Sequence, residues 1–385
     1  MSKLIAKAAR AYYNHSIQKS GMVRYDGGEL IPMRWYKLYL DGCIAATDLP
    51  CPMYVKNGRS ENLAVFFVGG GLVFDENTVD GFITGDSLFT GTPMLATGEP
   101  DPVNEQQIFV ARKDNGLFSL APENCFADWN IAVLNYGTGD FHVGTREVSY
   151  RDKRGHTVTR HLQGFRNDGI CLDKVKELFP TANKLLICGE SAGAFATPAM
   201  APEVIDRYPD CQDITVFADS ALLLRKDWKT VVSEFWGAPE RIAQAVCSED
   251  LTTDWFGALH RDYGGRIRCA YLCGARDQAL IMFQNYMDNG ILKEDHSVGV
   301  RFTQELRHQT ERLKAIRPDF AIYIHDFPCR NRKGFHEHCA LTLPTFRAGR
   351  VDGVSPMQWL HNCVNGKPED VGLHLLAGPS SPADR

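Results

Sequence analysis

Six short apolar runs constrain the fold more than any other feature of the sequence. They are LAVFFVGGG at 63–71, NIAVLNYGTGD at 130–140, NKLLICGES at 183–191, DITVFADS at 213–220, IRCAYLCGARD at 267–277 and FAIYIHD at 320–326. A strand with one face in water alternates apolar and polar residues. Most of these runs do not alternate, and each stops at a glycine or a polar turn. Uninterrupted apolar strands are covered on both faces, as in a parallel sheet with helices packed on each side. Helical patterns fall between them. In 164–179, Ile170, Val175, Leu178 and Phe179 share roughly one face, and 283–295 and 300–316 fill the space before the last run. Strand and helix in alternation predict an α/β fold with a mainly parallel central sheet flanked by helices.

The 385 residues are read as a single α/β domain, residues 1–385, although the length also allows two medium domains. Two segments break the alternation. Residues 75–125, rich in Gly, Pro, Thr and Asn, read as a long loop region. Residues 226–265, with Trp228, Phe235, Trp236, Trp255 and Phe256 among helix formers, read as a small helical insertion over one end of the sheet, either a lid or a surface elaboration.

Composition excludes several classes of partner. A formal net charge of −5 and the lack of a long Lys/Arg cluster argue against nucleic acid. No apolar run approaches the ~18 residues that span a bilayer. The first twenty residues lack a secretory h-region, and Leu4, Ile5, Ala8 and Ala9 at helical spacing read as an amphipathic helix packed on the body. The twelve cysteines are scattered, several of them inside apolar runs, and read as reduced thiols in a cytoplasmic protein.

Gly189-Glu190-Ser191-Ala192-Gly193 fits G-x-S-x-G between a strand and a helix. That pattern places a serine on a sharp, strained turn, with glycines giving room on either side and a helix N-terminus behind. Gly69-Gly70-Gly71 after an earlier strand reads as an oxyanion loop. Gly70 and Gly71 would offer N–H groups, and Ala192 would offer another from the serine turn. No phosphate-loop pattern completes around these glycines. A serine hydrolase of this kind needs an acid and then a histidine downstream. Strand counting favours Asp277, two strands past Ser191, over Asp219, one strand past. Past the last strand stand His325, His336 and His338. His325 comes too early in the chain, and His338 is favoured over His336 because the apolar run CALTL would anchor it. Asp140 and His142 would either line the pocket or brace a turn. Zinc ligation by His325, Cys329, His336, His338 and Cys339 lacks the spacing of a standard structural site, so neither metal nor cofactor is expected.

Together these stretches resemble the pectin acetylesterase/Notum family of serine hydrolases. VFFVGGGLVFD is similar to the family's strand followed by GGG-W-C. ADWNIAVLNYGTGDFHVG is similar to its N-W-N…Y-C-T-G-D-x-H-x-G block. GFRNDGICLDKV followed by LLICGESAGAFA is similar to its G-x-x-N helix and G-x-S-A-G-G, and FADSALL to its D-S-G segment. The likeness runs with gaps from about 40 to about 370. It implies an α/β-hydrolase fold with Ser191 as nucleophile, Asp277 as acid, His338 as base, and Gly70, Gly71 and Ala192 as oxyanion donors. It also implies hydrolysis of a short acyl ester, acetyl above all, on a carbohydrate; for a cytoplasmic protein the partner expected is a small-molecule or oligosaccharide ester substrate, with the oligomeric state open. The departures are Leu72-Val73 where the family has W-C, Gly137 where it has Cys, and Ala194 where it has the second glycine. They leave open a carboxylesterase or deacylase for longer or small-molecule esters, acyl transfer to an alcohol, or a non-catalytic binding protein on the same fold. Pro198, early in the helix after Ser191, should shorten or kink it.

Overall fold

The computed structural model describes residues 22–48, 50–80, 114–151, 155–329 and 333–377. The expected N-terminal helix and most of the expected 75–125 loop lie outside these residues.

Among the described residues, nine strands form one sheet in the order β1-β2-β3-β5-β4-β8-β9-β10-β11. These are β1 Val23–Arg24, β2 Trp35–Leu38, β3 Met53–Lys56, β4 Leu63–Phe67, β5 Asn130–Leu134, β8 Leu185–Glu190, β9 Ile214–Asp219, β10 Ile267–Gly274 and β11 Ala321–His325. The sheet is parallel from β5 through β11. β3 runs antiparallel to both β2 and β5, and β1 is parallel to β2. A separate antiparallel hairpin, β6 Arg146–Arg151 with β7 Thr157–Leu162, follows β5.

The six apolar runs supply the six parallel strands, and every residue of β4, β5, β8, β9 and β11 is buried. Helices flank the sheet: α1 Gly164–Leu178, α2 Ala192–Ile205, α3 Leu251–Tyr263, α4 Gln278–Asn289, α5 His296–Ile316 and α6 Pro356–Val364. The fold is therefore mixed α/β with a largely parallel sheet between helices, as the run pattern predicts.

Helix α2 packs on β4, β8 and β9, and Gly193 is what lets it approach. A Cβ there would stand 2.0 Å from the Phe67 carbonyl oxygen. The expected shortening at Pro198 does not occur, since α2 continues through Pro198 and Pro202 to Ile205. The Thr197 hydroxyl donates to the Gly193 carbonyl at 2.9 Å, within the same turn.

Segment 226–265 is helical at Trp228–Thr230, Val231–Phe235, Glu240–Ala245 and α3. Trp228, Trp236 and Trp255 are fully buried, and α3 lies against α2 and α5. The Trp236 indole N–H donates at 2.6 Å to the carbonyl of Val73, just past the triple glycine. Phe141 stacks on Phe195 and meets Trp228 tilted and Trp236 edge-on, and the two tryptophans tilt against each other, which fastens this segment to α2 and to the turn after β5.

Candidate active site

Parallel strands end at one edge of their sheet, where the loops of an open α/β fold gather a site. The triple glycine follows β4, TGDFHVG follows β5, Ser191 follows β8, Asp219 ends β9, Asp277 follows β10 and His338 follows β11.

Ser191 sits directly between β8 and α2 with φ +53° and ψ −123°. A residue with a Cβ rarely adopts this conformation, and holding it costs about 1–3 kcal/mol. The neighbours explain how it is held. The Ser191 N–H donates to the Asp219 carbonyl at 2.9 Å, and the Ser191 carbonyl accepts from Ala194 and Phe195 in the first turn of α2. Both motif glycines are sterically required: a Cβ on Gly189 would meet the Gly193 carbonyl oxygen at 2.3 Å, and Gly193 is already against Phe67.

His338 and Asp277 meet. The His338 Nδ1 is 2.9 Å from each carboxylate oxygen of Asp277. Asp277 is completely buried, while 16% of the His338 side chain is exposed. One Asp277 oxygen also accepts from the Leu280 N–H at 3.0 Å, capping α4. Nδ1 therefore carries the hydrogen, and Nε2 is left as the basic nitrogen. Burial disfavours the imidazolium, but the charge and hydrogen bond of Asp277, with Asp219 and Glu190 farther off, outweigh it and raise the pKa.

The competing histidines are occupied elsewhere. The His336 Nδ1 accepts from the Arg276 N–H at 3.0 Å. The His336 backbone pairs with Arg276 and Gln278, which clasps the strand end carrying Asp277. His325 is buried and stacked on Phe327, and burial pulls its pKa down to about 3. Among the described residues, no group of three or more His, Cys, Asp or Glu side chains is placed to hold a metal ion. All twelve cysteines are free.

Asp219 ties the serine turn to the histidine loop. While its carbonyl takes the Ser191 N–H, one carboxylate oxygen accepts the N–H groups of Ala340 and Leu341 at 2.8 and 2.7 Å. Its other carboxylate oxygen accepts from the Ser220 hydroxyl at 2.9 Å, and Ser220 Oγ in turn accepts from the Cys339 N–H. Glu190, paired in register with Asp219, accepts from the Thr342 hydroxyl at 2.6 Å. Two buried carboxyls stand together, and burial, with Glu190 adding to it against the N–H groups of Leu341 and Ala340, pushes Asp219 up to about 7. Asp219, the acid that strand counting ranks second, braces the serine turn against the histidine loop, and Glu190 and Thr342 carry no local motif that points to this role.

The glycine loop reaches Ser191 through Gly69. A Cβ there would stand 2.6 Å from the Glu190 carbonyl oxygen and 2.9 Å from Ser191 Cβ. Gly70 faces the Tyr136 ring, which a Cβ would strike at 2.4 Å; Gly71 is buried, and Ala192 opens α2. Gly69, not Gly70 or Gly71, is thus the glycine in contact with the serine turn. Only the register of β4 against β8, which pairs Phe67 with Gly189, shows that it is the glycine on the serine. Asp140 and His142 do not open onto a pocket, since both are fully buried. Among the described residues no helix is long and apolar enough to cross a membrane. No family model matches the chain, and no curated protein matches it.

Proposed function

We propose that the chain is a serine hydrolase of the α/β-hydrolase fold that cleaves short-chain carboxylic esters, acetyl above all, from a carbohydrate through an acyl-enzyme. The observation that carries this reading is the Asp277–His338 pair, two equal 2.9 Å contacts at a buried carboxylate, on a loop tied through Asp219 to the strained serine turn. Ser191 attacks the ester carbonyl as His338 Nε2 takes its proton. Asp277 holds the imidazole tautomer and stabilises the imidazolium. Backbone N–H groups of the 69–71 loop and Ala192 stabilise the oxyanion, each worth about 3 kcal/mol in the transition state. His338 passes its proton to the leaving alcohol, then activates water, which releases the acid and regenerates Ser191. The acyl class and the sugar come from the resemblance to the pectin acetylesterase/Notum family. Twelve free thiols suit a reducing cytoplasm, where imported oligosaccharides or small esters would be the substrates.

Acetylated sugars and p-nitrophenyl esters from C2 to C10 test the proposal with wild type and Ser191→Ala. Turnover should be highest at C2 and vanish in the variant, with folding unchanged. Equal turnover by Ser191→Ala removes Ser191 as nucleophile, and an optimum at C8–C10 replaces the acetyl assignment by a longer acyl group. A fluorophosphonate probe should label wild type at Ser191, and no labelling would mark a non-catalytic protein.

A further inference from the structure

TGDFHVG takes no part in the steps above, yet it is tightly bonded beside the glycine loop. Phe141 and His142 both hold left-handed backbone, φ +49° and +63°, where non-glycine residues are uncommon. Asp140 organises them from inside. One of its carboxylate oxygens accepts from the Thr138 hydroxyl at 2.6 Å and the His142 N–H at 3.1 Å, and the other accepts from the Gly164 N–H at 2.8 Å. A Cβ on Gly144 or Gly164 would collide with that carboxylate, at 2.3 and 2.5 Å.

The product of this folding is the placement of one imidazole. The His142 ring stacks on Tyr136 and stands edge-on to Phe67. Its Nε2 is 2.9 Å from the carbonyl oxygen of Val68, and its Nδ1 is 2.8 Å from a carboxylate oxygen of Asp168 on α1. A carbonyl has no proton to give, so Nε2 must be N–H. A second proton must then lie between Nδ1 and Asp168, because two lone pairs cannot face each other at that distance in a buried site. Val68 is the last residue before Gly69, which rests on Ser191.

We infer that His142 is a positioning residue of the oxyanion loop: held between Val68 and Asp168, it fixes the strand end that aims the 69–71 N–H groups, and turnover depends on the proton it shares with Asp168. This rests on the reading of Ser191 as the nucleophile. The groups facing the ring are Asp168 from α1, Asp140 from its own loop and the Tyr136 phenol from the end of β5, with Cys171 and Cys43 behind Asp168. Burial opposes the imidazolium, but Asp168 overcomes it and the His142 pKa rises, while burial raises Asp168 as well. The pair therefore holds its proton more firmly than a free histidine does and loses it as pH rises through the raised pKa.

Asp168→Asn, Asp168→Ala and His142→Phe separate this from simple packing. Wild type should lose kcat for p-nitrophenyl acetate at alkaline pH. Asp168→Ala and His142→Phe should lower kcat about tenfold or more with KM little changed, a fraction of the loss of a whole oxyanion donor. Asp168→Asn can donate its amide N–H to a neutral imidazole whose Nε2–H still serves Val68. It should recover most of that loss and lack the alkaline limb. Full kcat in His142→Phe and Asp168→Ala, or an Asp168→Asn enzyme that keeps the wild-type limb, overturns the inference. The ¹⁵N shifts of the His142 ring in wild type read the proton without turnover, whether or not the variants fold. A protonated Nε2 with Nδ1 protonated or hydrogen-bonded at pH 7 supports the inference, and a bare Nε2 overturns it. If wild type neither hydrolyses esters nor labels with fluorophosphonate, it is the Ser191 reading that fails, and the ring shifts still decide the clamp.

Discussion

Replacing Asp277 by asparagine separates the two jobs of that carboxylate. One oxygen caps α4 through the Leu280 N–H and also touches His338, while the other touches His338 alone, at 2.9 Å. In Asp277→Asn the amide oxygen can keep the cap, and asparagine caps helices about as well as aspartate. The amide nitrogen then replaces the second oxygen and must donate to His338 Nδ1. The ring hydrogen moves to Nε2, which can no longer take a proton from Ser191. A wrong tautomer of this kind lowers kcat by about 10⁴, or about 5.4 kcal/mol at 1.36 kcal/mol per decade. Stability should barely change, whereas Asp277→Ala loses a cap worth about 1 kcal/mol and leaves a buried His338 N–H unpaired at a further cost of about 1–3 kcal/mol. The assays are initial rates on p-nitrophenyl acetate across pH and urea unfolding of all three proteins. His338 must be neutral to act, so wild-type kcat/KM should fall as pH drops through its raised pKa, above the ordinary value of about 6.5. Any residual activity of Asp277→Asn should have its acid limb at lower pH, because the charge that raises His338 is gone. More than about a tenth of wild-type kcat in Asp277→Asn would refute the role given to Asp277. Equal destabilisation by both variants would refute the division between cap and tautomer.

His336→Asn should leave kcat close to wild type, because the His336 ring serves only the Arg276 N–H among the hydrogen bonds given above, while His338→Asn should abolish turnover; the reverse order would exchange their roles. Gly69→Ala should lower kcat about 100-fold, because a Cβ 2.6 Å from the Glu190 carbonyl pushes the loop off the serine. Wild-type rates in that variant would place the oxyanion loop elsewhere.

The parallel half of the sheet was legible in the sequence because burial on both faces demands uninterrupted apolar residues, and each such run holds a strand; the exact ends were not, since β8 continues past its apolar residues through Gly189 to Glu190, while β4 stops at Phe67, one residue before Val68. The antiparallel half was not. β2 and β3 have four residues each, too few for a period to show, and in β6 the polar Arg146, Glu147, Ser149 and Arg151 conceal a hairpin. In the site, Ser191 was marked by its G-x-S-x-G pattern, Asp277 by strand counting and His338 by the apolar run after it, and the structure brings Asp277 and His338 to 2.9 Å. What distinguishes His336 from His338 in the structure is that the Arg276 N–H occupies the His336 Nδ1, a fact of backbone placement that spacing two residues apart cannot carry. Asp168, Glu190 and Thr342 act through partners more than twenty residues away, so no local pattern marks them.

Asp219 lies outside the proposed triad, yet it grips the elements that carry it, the Ser191 turn by its carbonyl and the segment after His338 by its carboxylate. A displacement of β9 would therefore move the serine turn and the histidine loop together, because both are bonded to the same residue.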